Sequence, residues 1–348
     1  MPELKLYTVA QLREWLICNH AAEGLSERII APTRAWAIIH NPYVKDDDPV
    51  LAAIFVGEEI AAYITAFPEW MDGQRIWWFS TLWCEPKHRG KGYGLIVTGS
   101  LVEIYGIDYC YDRWGAPDTI EIFSYFGHKT IYTPRYIMGS KINRNTTKGK
   151  WVHMLRSAQK WSHRLIEPRF VEECYSLRYV SYIDDDTYTF ICNHRNADYF
   201  LHSHEMLNWE LRYPFTISAP LVEHARCSCL FSPSEIPYSQ LYAVQVIENN
   251  QMIGFYILKH NEESMHVLFL YYEEVMKNKV FASIRDHIKQ LHIAQCITDN
   301  GDLAAYLRSQ IYFPKINRID VSLSFPPAIE MPKGPVMQNG DGDNFIVV

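Results

Sequence analysis

The stretch Trp83-Cys-Glu-Pro-Lys-His-Arg89-Gly90-Lys91-Gly92-Tyr93-Gly94-Leu95 decides how the chain is read. It joins the end of an apolar strand pattern, Arg75 to Cys84, to the start of an apolar helix pattern, Leu95 to Tyr105. A glycine run lets successive backbone N–H groups turn inward without side-chain clash. The helix beyond it aims its unpaired amides and the positive end of its dipole at the same point. With Lys87, Arg89 and Lys91 adding positive potential, the stretch is a phosphate cradle.

The cradle can be compared with other phosphate loops. There is no G-x-x-x-x-G-K-[ST], so it is not a nucleoside-triphosphate loop. Gly90, Gly92 and Gly94 give G-x-G-x-G, not the G-x-G-x-x-G of a dinucleotide fold.

Working outward, helices are expected over 8–17 and 26–40, the second capped by Ser26 and ended by Asn41-Pro42. Strands come next at 50–56, 60–66 and 75–84, with turns at Gly57-Glu58-Glu59 and Asp72-Gly73-Gln74. After the cradle and its helix come a strand at 108–112, a helix at 118–126 ended by Gly127, and a strand at 130–138. Residues 140–170 are basic, and an amphipathic helix is expected at 151–165.

The second half repeats this order. A helix carrying Trp209 and ended by Pro214 echoes one carrying Trp36 and ended by Pro42. Strands are expected at 241–248, 252–259 and 265–272, then a helix at 280–291, a strand at 294–298, a helix at 303–310 and a strand at 316–323. Val275-Met-Lys-Asn-Lys-Val-Phe281 holds no glycine where the first half has three. The expected organisation is residues 1–145, a connector at 146–190, a degenerate repeat at 191–330 and an extended tail at 331–348.

The spacing R-x-x-G-x-G, filled by Arg89, Gly92 and Gly94 after Glu85-Pro86, resembles the coenzyme-A loop of the GNAT acetyltransferase superfamily. The resemblance covers about residues 1–145 and rests on element order as well as the loop. It implies a mixed α/β, mostly antiparallel sheet flanked by helices, here duplicated. It also implies acetyl-CoA or another acyl-CoA as cofactor. The backbone at Leu82, Trp83 and Cys84 would pair with the pantetheine arm, and the amides of Arg89, Gly90, Lys91, Gly92, Tyr93 and Gly94 would hold the pyrophosphate. The family's proton-donating tyrosine falls on Phe123, its final aromatic on His128, and the glutamate some members carry on the third strand near Trp78.

Acid–base roles therefore pass to other candidates: Tyr125 as donor to the leaving thiolate, and Ser80 and Glu85 near the thioester. Each has a plain alternative, as a packed aromatic, a hydroxyl bonding the neighbouring strand and a loop cap. The resemblance implies an amine acceptor such as an amino sugar, small amine or peptide. Trp70, Trp77, Trp78 and Trp83 would suit stacking on a sugar. The departures also motivate an alternative, a non-catalytic acyl-CoA sensor.

Composition narrows the field. The 348 residues suit two domains. A net charge of −7 argues against non-specific nucleic-acid binding. No apolar run is long enough to span a bilayer, and the start lacks a signal-peptide pattern, so a cytoplasmic protein is expected. The eight cysteines have no metal or disulfide spacing, and no metal is expected. His202-Ser-His204 is expected as a surface pair.

Overall fold

The computed structural model describes residues 1–17, 25, 29–30, 32–71, 73–139, 175–195, 198–200, 202–212, 239–261, 264–311, 313, 315–330 and 337–341. Ser26, the helix expected at 151–165 and Cys18, Cys174, Cys227 and Cys229 lie outside them.

In the first half, β1 (Pro2–Thr8), α1 (Val9–Ile17) and α2 (Pro32–Ile39) precede three long strands. These are β2 (Pro49–Val56), β3 (Glu59–Met71) and β4 (Gln74–Cys84). Then come α3 (Tyr93–Tyr105), β5 (Cys110–Arg113), α4 (Pro117–Tyr125) and β6 (Lys129–Gly139). The second half runs β7 (Ser176–Val180), α5 (Asp185–Asn193), α6 (His204–Arg212), β8 (Ser239–Glu248), β9 (Gln251–Asn261) and β10 (Ser264–Tyr272). It closes with α7 (Lys277–Gln290), β11 (Gln295–Thr298), α8 (Gly301–Gln310) and β12 (Ile316–Phe325). The expected strands and the two helices after the third strands are all present.

Three elements were not anticipated. β1 carries the pattern Leu4-Lys-Leu-Tyr7 and pairs antiparallel with β2 as an edge strand. β7 and the start of α5 lie within the stretch expected as a connector; Asp184 caps α5 by accepting from the Thr187 amide. The expected helix at 26–40 is helical only from Pro32 among the described residues, and residues 29–30 form a turn and bend.

All twelve strands form one sheet in the order β1-β2-β3-β4-β5-β12-β6-β11-β10-β9-β8-β7. Pairing is antiparallel except for β4 with β5 and β10 with β11. The centre is built by exchange. β12, from the end of the second half, lies between β5 and β6, while β6, from the first half, pairs with β11. Each half thus lends its last strand to the other. One apolar core runs across the exchange, with Phe79, Phe123, Phe200, Phe269 and Leu323 in a single cluster. A second core fills the space around Tyr256, Phe281 and Leu307. Among the described residues no helix is long and apolar enough to cross a membrane.

The tail departs from expectation. Met337–Asp341 is buried between the halves, with Asn339 and Asp341 2% and 1% exposed. Polar side chains tolerate such burial only with hydrogen-bond partners, and the segment has them. Arg113 donates to the Gln338 and Asp341 carbonyls, and the Gly340 amide donates to the Leu268 carbonyl.

Gly139 ends β6 at the exchange with φ +89°, and a Cβ there would lie 1.9 Å from the Ala294 carbonyl oxygen. Gly139→Ala is expected to lower unfolding free energy by about 3 kcal/mol, through left-handed strain plus a backbone clash. Urea denaturation measures it, and an unshifted midpoint would contradict the placement of β6 against β11.

Candidate functional site

The site begins where a strand loses a neighbour. β4 pairs with β3 as far as Cys84, which faces Ala62. It pairs with β5 only over Trp77–Phe79 against Cys110–Asp112. β5 then turns to β12, where Asp112 and Arg113 face Ser324 and Leu323. From Ser80 to Cys84 the β5-side edge of β4 therefore lacks its strand partner, and, apart from the Ser80 and Cys84 carbonyls that accept from Thr65 and Arg89, its backbone groups are open to a ligand.

The divergence is reinforced by a bulge. The β3–β4 register shifts between Tyr63 and Thr65, and Thr81 takes φ +54°, a left-handed conformation rare for a β-branched residue. Hydroxyls gather there. Thr65 Oγ1 donates to the Ser80 carbonyl at 3.0 Å and lies 2.8 Å from Thr81 Oγ1. Arg34 of α2, itself buried, donates from Nη1 to Ser80 Oγ at 2.5 Å.

The glycine stretch comes directly after. Pro86–His88 form one 3-10 turn, and Gly90 and Gly92 take φ +76° and +77° with nothing within 4 Å of a Cβ placed there. The helical ladder of α3 starts with the Ile96 amide donating to Gly92, so the amides of Tyr93, Gly94 and Leu95 have no helical partner. Side chains brace the loop: Arg89 Nε donates to the Cys84 carbonyl, Lys91 Nζ lies 3.0 Å from His88 Nδ1, and Lys87 pairs with Glu59. Positive-φ glycines beside open space, helix-start amides and three cations fit a diphosphate group.

The remaining candidates divide by face. Ser80 is half-buried on the α2 side of the sheet, held by Arg34. Tyr125 is 69% exposed at the last residue of α4. It lies one turn beyond Ile122, whose Cδ1 is 3.0 Å from a Cβ built at Gly94. Glu85 opens the 3-10 turn without a side-chain cap bond, and its amide donates to Ala61. Phe123, at the family's tyrosine position, is fully buried edge-on to Phe79 and His128. His128 donates from Nε2 to the Cys110 carbonyl, and burial holds its pKa below the ordinary range.

Several expectations need correction. Trp77 and Trp78 are core residues, Trp77 stacked on Tyr105 at 3.7 Å, and offer no face to a sugar. His202 and His204 are not a surface pair. His204 Nε2 donates to the Ile183 carbonyl, and its ring stacks on Tyr188.

His202 is enclosed between the halves. Its Nδ1 lies 2.5 Å from Glu69 Oε1 on β3 and its Nε2 2.8 Å from Asp341 Oδ1. Burial opposes its charge, but the two carboxylates outweigh that and hold the imidazolium well above its usual pKa. Glu69 Oε2 accepts from Trp78 Nε1 at 2.6 Å. At the exchanged strands, Arg113 and Arg135 both bind Asp299. Glu69, Asp341 and Asp299 thus balance His202, Arg113 and Arg135. One sequence signal for this was present: Glu69 is the lone acid within the apolar run Ile60–Met71. Nothing in sequence marked Thr81 or Arg34. On the same sheet face lies a cleft of about 630 Å³ between the halves, lined by His40, Pro42, Tyr182, His204, Glu205 and Trp209 among others. Trp209 packs on Phe67, which faces Trp78 across β3 and β4.

Residues 9–106 match the acetyltransferase (GNAT) family model. No curated protein matches the chain. The fold is similar to that of a GCN5-related N-acetyltransferase from Anabaena variabilis, at 10% identity and TM-score 0.52, over 93% of this chain and 72% of that one. It is also similar to a tandem GNAT protein from the clavulanic acid biosynthesis pathway, at 9% identity and TM-score 0.52, over 95% and 100% of the two chains. A probable N-acyltransferase from Enterococcus faecalis aligns at 11% identity and TM-score 0.50, over 94% and 73%. At these identities the likeness is one of fold.

The buried interface has a pH signature. Burial pushes Asp198 up to about 7 and Glu210 well above the carboxylate range. The folded chain holds protons there that the unfolded chain releases near pH 4. Stability is therefore expected to fall as pH rises from about 4 to 7, by roughly 2–4 kcal/mol for Asp198 alone. Asp198→Asn should flatten this slope in urea denaturation series at pH 5 and 8; an identical slope in both proteins would refute the assignment.

Proposed function

With residues 9–106 a GNAT-family domain, we propose that this chain transfers an acetyl or other acyl group from acyl-CoA to an amine acceptor. The observation that carries this is the unpaired β4 edge from Ser80 to Cys84 leading straight into the glycine cradle. Acyl-CoA supplies the activated thioester. The amides of Gly90, Gly92, Tyr93 and Gly94 hold its pyrophosphate, those of Arg89 and Lys91 donating instead to the Pro86 and His88 carbonyls. The backbone of Leu82 and Trp83 and the Cys84 amide hydrogen-bond the pantetheine arm. Arg89, tied to the Cys84 carbonyl, joins these two stretches.

The acceptor enters on the opposite face, through the cleft between the halves. Ser80, fixed by Arg34, marks the point where that face meets the open edge. There the amine attacks the thioester carbonyl: a C–N bond forms, the C–S bond breaks, and the amine proton leaves through water along the open edge, with Glu85 at the end of β4 as its acceptor. Tyr125, at the solvent end of α4, returns a proton to the departing thiolate. With Trp78 where some relatives carry a base, orientation supplies much of the rate. The two halves act as one enzyme, the second completing the acceptor cleft. Free thiols at Cys84 and Cys192 suit a reducing cytoplasm.

Calorimetry with acetyl-CoA and a thiol-release assay across amino sugars, small amines and peptides test this. Binding with turnover supports the transferase. Binding without turnover on any acceptor favours the sensor, and absent binding refutes both. Gly92→Asp, which combines left-handed strain with a negative charge at the cradle, is expected to weaken acetyl-CoA binding about a hundredfold. Asn278→Asp, at the matching place in the second half, should leave affinity unchanged. Tyr125→Phe should lower kcat at least about tenfold with little change in acetyl-CoA affinity.

A further inference from the structure

The second half contains the same strand opening as the first, and it is filled. β10 pairs with its parallel neighbour β11 only over Ser264–His266. The β9–β10 register shifts between Val267 and Phe269, as β3–β4 does beside Thr81. Parallel pairing ends at Phe79 in the first half and at His266 in the second. Two residues on are Thr81 and Leu268; four residues on are Trp83 and Leu270. The carbonyls of Leu268 and Leu270 accept from the Gly340 amide at 2.8 Å and from Gln338 Nε2 at 3.2 Å. The tail lies where the first half leaves β4 open.

The fit is close. A Cβ at Gly340 would lie 2.3 Å from the Phe269 ring, so the backbone lies against β10 at a distance only glycine allows. Asp341 closes a turn by accepting from the Gln338 amide through Oδ2. Its other oxygen reaches His202, which reaches Glu69, which holds the indole of Trp78 on β4. Arg113 of β5 clasps two carbonyls of the same turn.

We propose that Met337–Asp341 is a built-in ligand of the second half. It fills the strand opening that the first half keeps for an acyl-CoA arm. Through Asp341, His202 and Glu69 it also sets the position of Trp78 beside the working opening. The comparison between openings rests on the proposed cofactor reading, but the docked segment and its relay do not. The second half has no cradle to hold a pyrophosphate, and its open strand edge would otherwise lack partners. The chain meets that need with its own backbone and uses the contact to position a residue in the other half.

Variants of the full chain test this. Gly340→Val should displace the segment, and amide exchange over 337–341 should speed up about a hundredfold. Asp341→Asn keeps the turn but removes the carboxylate facing His202. The His202 ring should then lose its proton at lower pH, and the Trp78 indole N–H resonance, assigned with Trp78→Phe, should move. Phe269→Leu should restore slow exchange to Gly340→Ala by making room for one methyl group. Unchanged exchange in Gly340→Val, or an unmoved Trp78 resonance in Asp341→Asn, overturns the proposal. Acetyl-CoA calorimetry on the unmodified protein separates the two readings: absent binding there removes the cofactor assignment and leaves the exchange and resonance outcomes to decide the relay.

Discussion

Beyond Phe79, β4 has a strand neighbour on one side only, and much of the molecule's chemistry depends on that lost partner. A backbone edge inside a folded chain must find another partner or keep itself accessible. The bulge at Thr81, the turn of β5 toward β12 and the hydroxyl cluster under Arg34 all stabilise the divergence. The glycine cradle lies at its mouth because the strand that diverges is the strand that leads into it.

The same divergence occurs in the second half, where the tail meets it. One architectural feature thus has two outcomes within one chain. The difference lies in the segment that leaves the strand. Gly90 and Gly92 turn their amides outward with left-handed backbone angles, whereas Glu274–Met276 wind straight into α7.

The exchange of β6 and β12 makes the halves inseparable and forces charge into the interior. Burying ions is costly unless each is paired and hydrogen-bonded. The Arg113–Asp299–Arg135 group and the Glu69–His202–Asp341 group satisfy this by balance, and burial pushes the surplus carboxyls Asp198 and Glu210 toward their neutral form by raising their pKa. These groups fix how the two halves meet, and so fix the cleft that opens between them.

The local chemistry was legible in sequence. Near-continuous apolar runs bounded by turn residues marked the long strands, and glycine spacing after Cys84 located the cradle, because φ and amide exposure are set by neighbouring residues. The short or polar elements β1, β7 and α5 were not legible, since their apolar patterns are too brief to stand out. The roles of Trp78, Glu69, His202 and Asp341 were beyond reach for a different reason. They come from 69, 78, 202 and 341 in the chain and meet only through the strand exchange and the docked tail. The sequence alone determined a repeated strand order and a single anion cradle. Tertiary structure decided which strand closes which half, what fills the second opening and which charges are buried, because those depend on pairings between residues hundreds of positions apart.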